Sequence, residues 1–312
     1  MFIPVSGGLT VKYLSAILGK KFLHLFIFCF LLIPSLLAED FYFDSDGVQI
    51  HYTIEGKGEP VLLIHGFSAN IQLNWGIPGV IKALSDNFQV IALDNRGHGQ
   101  SDKPHDPQAY GMNMVEDPIR LLDHLDIEKA HIVGYSMGGF ITLGILAHYP
   151  ERVLSAVVGG AGWVPPGQDI LGLDMNTLAE SLEQGKGIAP LMIALTPKGA
   201  PQPTPEEIEA RNKMLLSTND PLALAAASRN SYTSPPENRI RSINVPVLAL
   251  IGEVDPLKMY VDQLDRLMRN LKISVIPNAN HMTALEDPAF SNNIKAFLIK
   301  NSSSASGNVI KK

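Results

Sequence analysis

The stretch HIVGYSMGGF, residues 131–140, changes character at its centre. Residues 131–133 are a short run typical of a strand, and residues 139–149 have the composition of a helix. Glycines two places before and two places after Ser136 allow a tight strand-to-helix turn, because a Cβ at either place would meet neighbouring backbone. The pattern predicts that Ser136 stands at this turn with its hydroxyl exposed.

A Gly-x-Ser-x-Gly motif also arises by chance in ordinary turns between a strand and a helix. The assignment of Ser136 as a nucleophile therefore depends on the rest of the chain. A serine hydroxyl is a poor nucleophile at neutral pH, so it needs an imidazole to take its proton and a carboxylate to orient that imidazole.

Two further residues meet this need. Asp255 and His281 each follow a short apolar run, as Ser136 does, and these runs predict strands. Parallel strands place their carboxyl ends at one edge of a sheet, so we expect the three side chains to converge as nucleophile, acid and base. Glu253, two residues before Asp255, is the alternative carboxylate.

Cleavage of an acyl group also requires donors for the developing oxyanion. Met137 N–H, at the start of the predicted helix, is one candidate. Phe67 N–H is the other, because Phe67 lies in the loop after the buried strand predicted at residues 61–64. The assignment of both donors depends on loop position alone, since backbone amides have no side-chain signature.

The order of predicted elements indicates the fold class. A hairpin over residues 41–54, predicted to form edge strands, precedes apolar runs that alternate with helical segments, and this alternation predicts a mostly parallel, doubly wound α/β sheet of about eight strands. The alternation stops at residues 163–239, where Thr204, Pro205 and Glu207 predict a capped helix start. We interpret residues 39–162 and 240–300 as the core, and residues 163–239 as a helical cap or lid. A helical decoration with no role at the site is the alternative.

The termini differ from the core in composition. Residues 1–38 contain three lysines and no acidic residue, and residues 22–37 are apolar, as in an export signal cleaved after Ala38. This pattern predicts a periplasmic or secreted protein. An uncleaved membrane anchor at residues 22–37 is the alternative, although the run is short for a spanning helix. Residues 301–312 are Ser-rich and predict a disordered tail.

Composition narrows the range of partners. The chain has 312 residues, 46% of them hydrophobic, and a formal net charge of -6. It can bury a large core, and nothing in its charge pattern indicates nucleic acid. We expect a small-molecule substrate, and neither a cofactor nor a metal site.

Several motifs together resemble the α/β-hydrolase superfamily. They are His65-Gly66-Phe67, the segment from Asp94 to Ser101, the segment from Gly134 to Gly139, Gly252-x-x-Asp255 and His281, within about residues 41–300. The resemblance implies a serine hydrolase of the esterase and lipase-like branch, acting through an acyl-enzyme on a small to medium lipophilic ester. It also implies structural roles for Asp94, Arg96 and His98.

The resemblance leaves other reactions open. Dehalogenases and epoxide hydrolases of this fold have aspartate at the position of Ser136, which disfavours both. Hydrolases of carbon–carbon bonds in ring-fission products share the Ser136 motif. Peptidases that remove N-terminal proline would use lid carboxylates such as Glu180 and Glu183 to hold an amine. A slow hydrolase acting as a ligand receptor is a further alternative.

Overall fold

The computed structural model describes residues 39–231 and 234–302. The predicted signal or anchor, residues 1–38, lies outside the described residues, as do residues 303–312 of the predicted tail.

One sheet organises the described part of the chain, and it contains eight strands in the order β1-β2-β4-β3-β5-β6-β7-β8. The antiparallel pairs are β1 with β2 and β2 with β4, while all other neighbours are parallel. The prediction of a mostly parallel sheet of about eight strands is confirmed. The strands are β1 Glu39–Asp44, β2 Gln49–Glu55, β3 Glu59–Ile64, β4 Phe88–Leu93, β5 Ala130–Tyr135, β6 Val153–Gly159, β7 Val247–Gly252 and β8 Leu271–Ile276.

The hairpin is placed differently from the prediction. β1 is an edge strand, but β2 pairs with β4 on its other side, so the expectation that both lie at the edge is wrong. The side chains of Ile50, His51, Tyr52 and Thr53 are all buried, since both faces of β2 are covered. Alternation of residue types cannot reveal this pairing, because it depends on a strand about forty residues further along the chain.

Helices cover both faces of the sheet. Successive residues of a strand point to opposite faces. Leu62 and Ile64 therefore pack with the helices at residues 112–124 and 137–148, while Val61 and Leu63 pack with those at residues 80–85 and 288–300. The described helices are α1 Val80–Ser85, α2 Met112–His124, α3 Met137–His148, α4 Met175–Glu183, α5 Ala189–Ala194, α6 Pro205–Thr218, α7 Pro221–Arg229, α8 Glu237–Arg241, α9 Lys258–Asp265 and α10 Pro288–Lys300. Among the described residues, no helix combines the length and the apolar character that crossing a membrane requires.

Five of these helices, α4 to α8, lie between β6 and β7, in the stretch predicted to be a cap. α4 and α7 pack through Leu178, Leu182 and Leu224, which belong to a small apolar cluster separate from the two clusters that flank the sheet. α6 begins as predicted, because Thr204 Oγ1 accepts from Glu207 N–H while the Glu207 carboxylate accepts from Thr204 N–H. α6 is nonetheless exposed along most of its length, with Leu215 as its buried residue.

Candidate active site

Ser136 stands at the sharp turn that the sequence predicts. β5 ends at Tyr135, α3 begins at Met137, and Ser136 between them has φ 54° and ψ −118°. A positive φ in a residue other than glycine costs roughly 1–3 kcal/mol and persists only where the surroundings enforce it. Here they do, because a Cβ on Gly134 would meet the carbonyl oxygen of Gly138 and a Cβ on Gly138 would meet that of Ile64.

The structure brings Ser136, Asp255 and His281 together. The hydroxyl of Ser136 lies 3.0 Å from His281 Nε2, and His281 Nδ1 lies 2.8 Å from Asp255 Oδ2. A carboxylate can only accept, so Nδ1–H donates to Asp255 and Nε2 is left to accept from the serine. Asp255 and His281 are almost fully buried, at 3% and 4% exposure. This arrangement can move a proton from the serine to the imidazole.

The structure also distinguishes the two candidate carboxylates. The second oxygen of Asp255 accepts from Leu257 N–H at 2.9 Å, which fixes the carboxylate beneath His281. Glu253 is exposed, and its carboxylate accepts from Asn278 N–H at 2.8 Å. The turn after β7 therefore directs Asp255 toward His281 and Glu253 away from it.

The two predicted oxyanion donors flank Ser136. Met137 N–H begins α3, and the loop that carries Phe67 lies against the serine, since a Cβ built on Gly66 would be 3.2 Å from Ser136 Cβ. In the part of the chain that the structure describes, neither the Phe67 nor the Met137 N–H donates a hydrogen bond. Both amides are therefore available to a ligand oxygen.

The peptide group that joins Gly66 to Phe67 is held in place from behind. His65 Nε2 accepts from Asn95 N–H at 2.9 Å, so the ring proton of neutral His65 is on Nδ1, and Nδ1–H donates to the Gly66 carbonyl oxygen at 2.7 Å. The C=O and N–H of a trans peptide point in opposite directions. Fixing the Gly66 carbonyl on the His65 side therefore directs Phe67 N–H away from that side.

A second contact supports the same loop, because Asn74 Oδ1 accepts from Gly66 N–H at 2.6 Å. No pattern in the sequence predicts these contacts of His65 and Asn74. The His65-Gly66 pair was a visible signal, whereas Asn74 lies in a short helical turn whose sequence carries none. Burial lowers the pKa of His65, more than the neighbouring Asp94 charge raises it, so the neutral form and its tautomer are maintained.

The segment from Asp94 to Ser101 lies behind this loop. The Asp94 carboxylate accepts from Ile71 N–H and Gln100 N–H at 2.9 and 2.8 Å, and it bonds His51 Nδ1 at 2.8 Å. Arg96 is buried, and its guanidinium donates two hydrogen bonds to the carboxylate of Asp117. His98 packs edge-on against the Phe67 ring, and burial lowers the pKa of His98 to about 3. These contacts give the segment the structural place that the resemblance implied.

An apolar cavity opens at Ser136, with a volume of about 100 Å³. Of its seventeen described lining residues, fifteen are apolar and the other two are Ser136 and Ser231. The cap stretch contributes several of them, including residues of α4, α5 and α7. The lining residues are Phe67, Met114, Ser136, Met137, Phe140, Ile141, Ile170, Leu171, Leu173, Met175, Leu178, Leu191, Ala194, Leu195, Ala227, Ser231 and Leu257.

Other candidate groups lie away from this cavity. A wider, open groove of about 820 Å³ runs beside α6, and none of the predicted site residues lines it. Glu180 and Glu183 are exposed and do not line the cavity at Ser136, and Glu183 pairs with Arg229 at 2.7 Å. Among the described residues, no cluster of three or more histidine, cysteine, aspartate or glutamate side chains is arranged to hold a metal ion.

Comparisons with known proteins agree with this architecture. A family model described as the alpha/beta hydrolase fold matches residues 59–186. A Bacillus subtilis protein named as a 2-succinyl-6-hydroxy-2,4-cyclohexadiene-1-carboxylate synthase is 27% identical over 78% of this chain and 92% of its own length.

Two further likenesses differ in extent. The acetyltransferase component of the acetoin cleaving system from Cupriavidus necator is 38% identical over 38% of this chain, which spans 32% of that relative. A thermophilic esterase of Thermogutta terrifontis has a similar structure, with a TM-score of 0.70, 27% identity, and coverage of 85% of this chain and 99% of the esterase.

Proposed function

Since this chain belongs to the α/β-hydrolase superfamily, we propose that it is a serine hydrolase that cleaves neutral, lipophilic carboxylic esters through an acyl-enzyme. The observation that carries this proposal is the Ser136 hydroxyl, bonded to His281 Nε2 and exposed in a cavity whose described lining has no charged side chain. The hydrogen bond of the Ser136 hydroxyl to His281 suits acyl transfer, and the apolar lining of the cavity suits an apolar substrate.

In the proposed acylation step, Ser136 Oγ attacks the ester carbonyl while His281 Nε2 takes the hydroxyl proton. The carbonyl oxygen becomes an oxyanion between Phe67 N–H and Met137 N–H, and a donor of this kind contributes roughly 100 to 1,000-fold in rate. As the carbon–oxygen bond to the alcohol breaks, His281 returns the proton to the departing alkoxide. Asp255 holds the imidazole and stabilises its charged form throughout.

Water completes the reaction. His281 removes a proton from a water molecule, the resulting nucleophile attacks the acyl carbonyl, and the oxyanion again forms between the same two amides. The bond to Ser136 Oγ breaks, His281 protonates the serine, and a carboxylic acid leaves. Both steps need the same imidazole with Nε2 free to accept, which is the tautomer that Asp255 fixes.

The lining of the cavity supports the choice of substrate. A carboxylate or ammonium group on the substrate would lose its hydration on entering, and the described lining residues offer no opposite charge in return. The Bacillus subtilis relative is named for a carboxylate product, but no described lysine or arginine lines this cavity. A substrate amine is equally unsupported, since Glu180 and Glu183 lie outside it.

The proposal is tested by labelling the purified protein with a fluorophosphonate and mapping the adduct by mass spectrometry, with the S136A variant as control. We expect label on the peptide containing Ser136 and turnover of p-nitrophenyl butyrate and octanoate. An ester of succinic acid with a free carboxylate should react much more slowly than the butyrate. Equal ester turnover by S136A would contradict the mechanism, and preferential cleavage of a vinylogous 1,5-diketone would favour carbon–carbon bond hydrolysis instead.

We also propose that residues 1–38 direct export and are removed after Ala38. Support comes from the three lysines, the absence of acidic residues and the apolar run at residues 22–37. Expression of the full chain in a bacterial host should yield a periplasmic or secreted protein whose N-terminus is Glu39. An intact N-terminus in the membrane fraction would favour the anchor alternative.

A further inference from the structure

Tyr135 directly precedes Ser136, and its hydroxyl donates to the backbone carbonyl oxygen of His281, 146 residues further along the chain. Its ring also lies against the imidazole, with ring centroids 5.2 Å apart and planes inclined by 32°. We propose that Tyr135 is a positioning residue that holds the backbone of His281 so that the imidazole spans Ser136 and Asp255. The inference rests on the function proposed above and adds a residue for which the sequence predicts no role.

The position of His281 in the fold shows why it needs such a contact. It lies in the loop after β8, an edge strand with several exposed side chains, and Met282 beside it is exposed. Among the described residues, the backbone of His281 makes one hydrogen bond, the one from Tyr135. The hydrogen bonds of the imidazole itself are the two that the proposed proton transfer uses, to Asp255 and Ser136.

The neighbouring loop keeps space for this contact. Gly160, after β6, has φ 54°, and a Cβ there would lie 2.8 Å from Tyr135 Cε2 and 3.1 Å from His281 Cε1. Phe290 meets Tyr135 edge-on, with ring centroids 5.5 Å apart. The phenol is therefore confined by its surroundings, and its hydroxyl has a fixed direction.

The hydroxyl is also held in its donor form. Burial raises the pKa of Tyr135 well above its ordinary value, and the charge of Asp255 adds to this effect. Tyr135 is buried, so bulk water does not compete for the His281 carbonyl. The hydrogen bond therefore persists wherever the fold does.

The Tyr135 contact sets the distance that proton transfer needs. A displacement of about 1 Å in a reacting group can cost about 100-fold in rate. Acylation and deacylation both use His281, so loosening its backbone should slow both steps. Substrate binding depends on the apolar cavity, which Tyr135 does not line, so KM should change little.

The test compares Y135F with Y110F. Tyr110 is a matched control because it is also buried and its hydroxyl also donates to a backbone carbonyl, that of Pro104 at 2.6 Å, away from the cavity. With p-nitrophenyl butyrate, we expect Y135F to lose about tenfold or more in kcat with KM within twofold of wild type. Y110F should keep both constants. The rates of the acylation burst and of deacylation should fall together in Y135F.

Two readouts do not depend on turnover. Hydrogen exchange in the peptide covering residues 277–287 should be faster in Y135F and unchanged in Y110F, and the downfield proton resonance of His281 Nδ1–H should broaden in Y135F alone. If Y135F does not fold, the wild-type protein labelled at tyrosine should still show a slowly exchanging Tyr135 hydroxyl proton.

A kcat for Y135F within twofold of wild type, unchanged exchange at residues 277–287, or a freely exchanging Tyr135 hydroxyl would overturn the proposal. Absence of ester turnover in the wild-type protein would instead count against the proposed function. In that case the exchange and resonance measurements would still decide whether Tyr135 holds His281.

Discussion

His65 donates a hydrogen bond from Nδ1 to the carbonyl oxygen of Gly66, 2.7 Å away, and so fixes the peptide group whose other end is Phe67 N–H. The acceptor role of His65 Nε2 toward Asn95 N–H, at 2.9 Å, selects the tautomer that can do this. A buried imidazole behind the loop thus sets the direction of the Phe67 amide, which we propose as an oxyanion donor.

Replacing His65 by phenylalanine keeps a buried ring but removes the hydrogen bond to Gly66. We expect kcat to fall by about 10 to 100-fold with little change in KM, because a misdirected donor stabilises the transition state less. The inhibition constant of a trifluoromethyl ketone, which forms a tetrahedral adduct, should rise in parallel. H131F is the control. His131 is buried in β5, its ring forms hydrogen bonds with the side chains of Ser155 and Glu59, and it does not line the cavity. Equal losses in both variants would contradict a role in directing the amide.

Asp255 and Glu253 provide a matched pair of carboxylate substitutions. D255N would favour the wrong imidazole tautomer and should lower kcat by about 10,000-fold, the scale known for this change in serine hydrolases. E253Q should retain nearly full activity, because Glu253 contacts the backbone of Asn278. Steady-state kinetics with p-nitrophenyl butyrate measure both effects, and a larger loss in E253Q would reverse the assignment.

Leu191 on α5 lines the cavity, so its truncation should change the preference for chain length. We expect L191A to raise kcat/KM for longer acyl chains relative to p-nitrophenyl butyrate by roughly tenfold, the lower end of the range for one methylene in an apolar pocket. L216A on the exposed face of α6 should leave the preference unchanged. An unchanged chain-length profile in L191A would place the acyl group elsewhere.

Buried neutral His98 should make the fold sensitive to acid. Burial lowers its folded pKa to about 3, while the unfolded chain takes up a proton near pH 6.5. The contribution of neutral His98 to the free energy of unfolding is complete above about pH 6.5 and declines as the pH falls toward 3. At roughly 1.36 kcal/mol per pH unit, about 2 kcal/mol of it is lost at pH 5. Urea unfolding of H98N at pH 7.5 and 5.0 should therefore show a smaller loss of stability on acidification than wild type. A loss as large as that of wild type would show that His98 titrates normally.

His51 should change the pH dependence of the free energy of unfolding in the opposite direction to His98. Burial lowers its pKa, but hydrogen bonds to Asp94 and Asp40 outweigh this and raise the folded pKa above the ordinary value. Its stabilisation is complete below the unfolded pKa of about 6.5 and is lost as the pH rises through the higher folded pKa. In H51N, the free energy of unfolding should decrease more steeply on acidification than in wild type. A parallel pH dependence in the two proteins would contradict the raised pKa.

Much of the fold could be predicted because its signals are local. Each buried parallel strand is a short apolar run, and Gly134 is required by a neighbour within the same turn, the carbonyl oxygen of Gly138. The order of strands could not be read in this way. β2 lies between β1 and β4 because of backbone pairing with residues distant in sequence, which no pattern within β2 encodes.

By itself, the sequence determined the residue types of the candidate site and their places at strand ends, since motif, strand and turn are neighbours along the chain. Tertiary structure decided which groups meet. It turned Asp255 and not Glu253 toward His281, placed His65 and Asn74 behind the Phe67 amide, and tied the His281 backbone to Tyr135. It also enclosed Ser136 with apolar side chains from separate helices. The physical reason is that these hydrogen bonds and cavity walls form between segments far apart in the chain, whereas residue patterns depend only on residues a few positions apart.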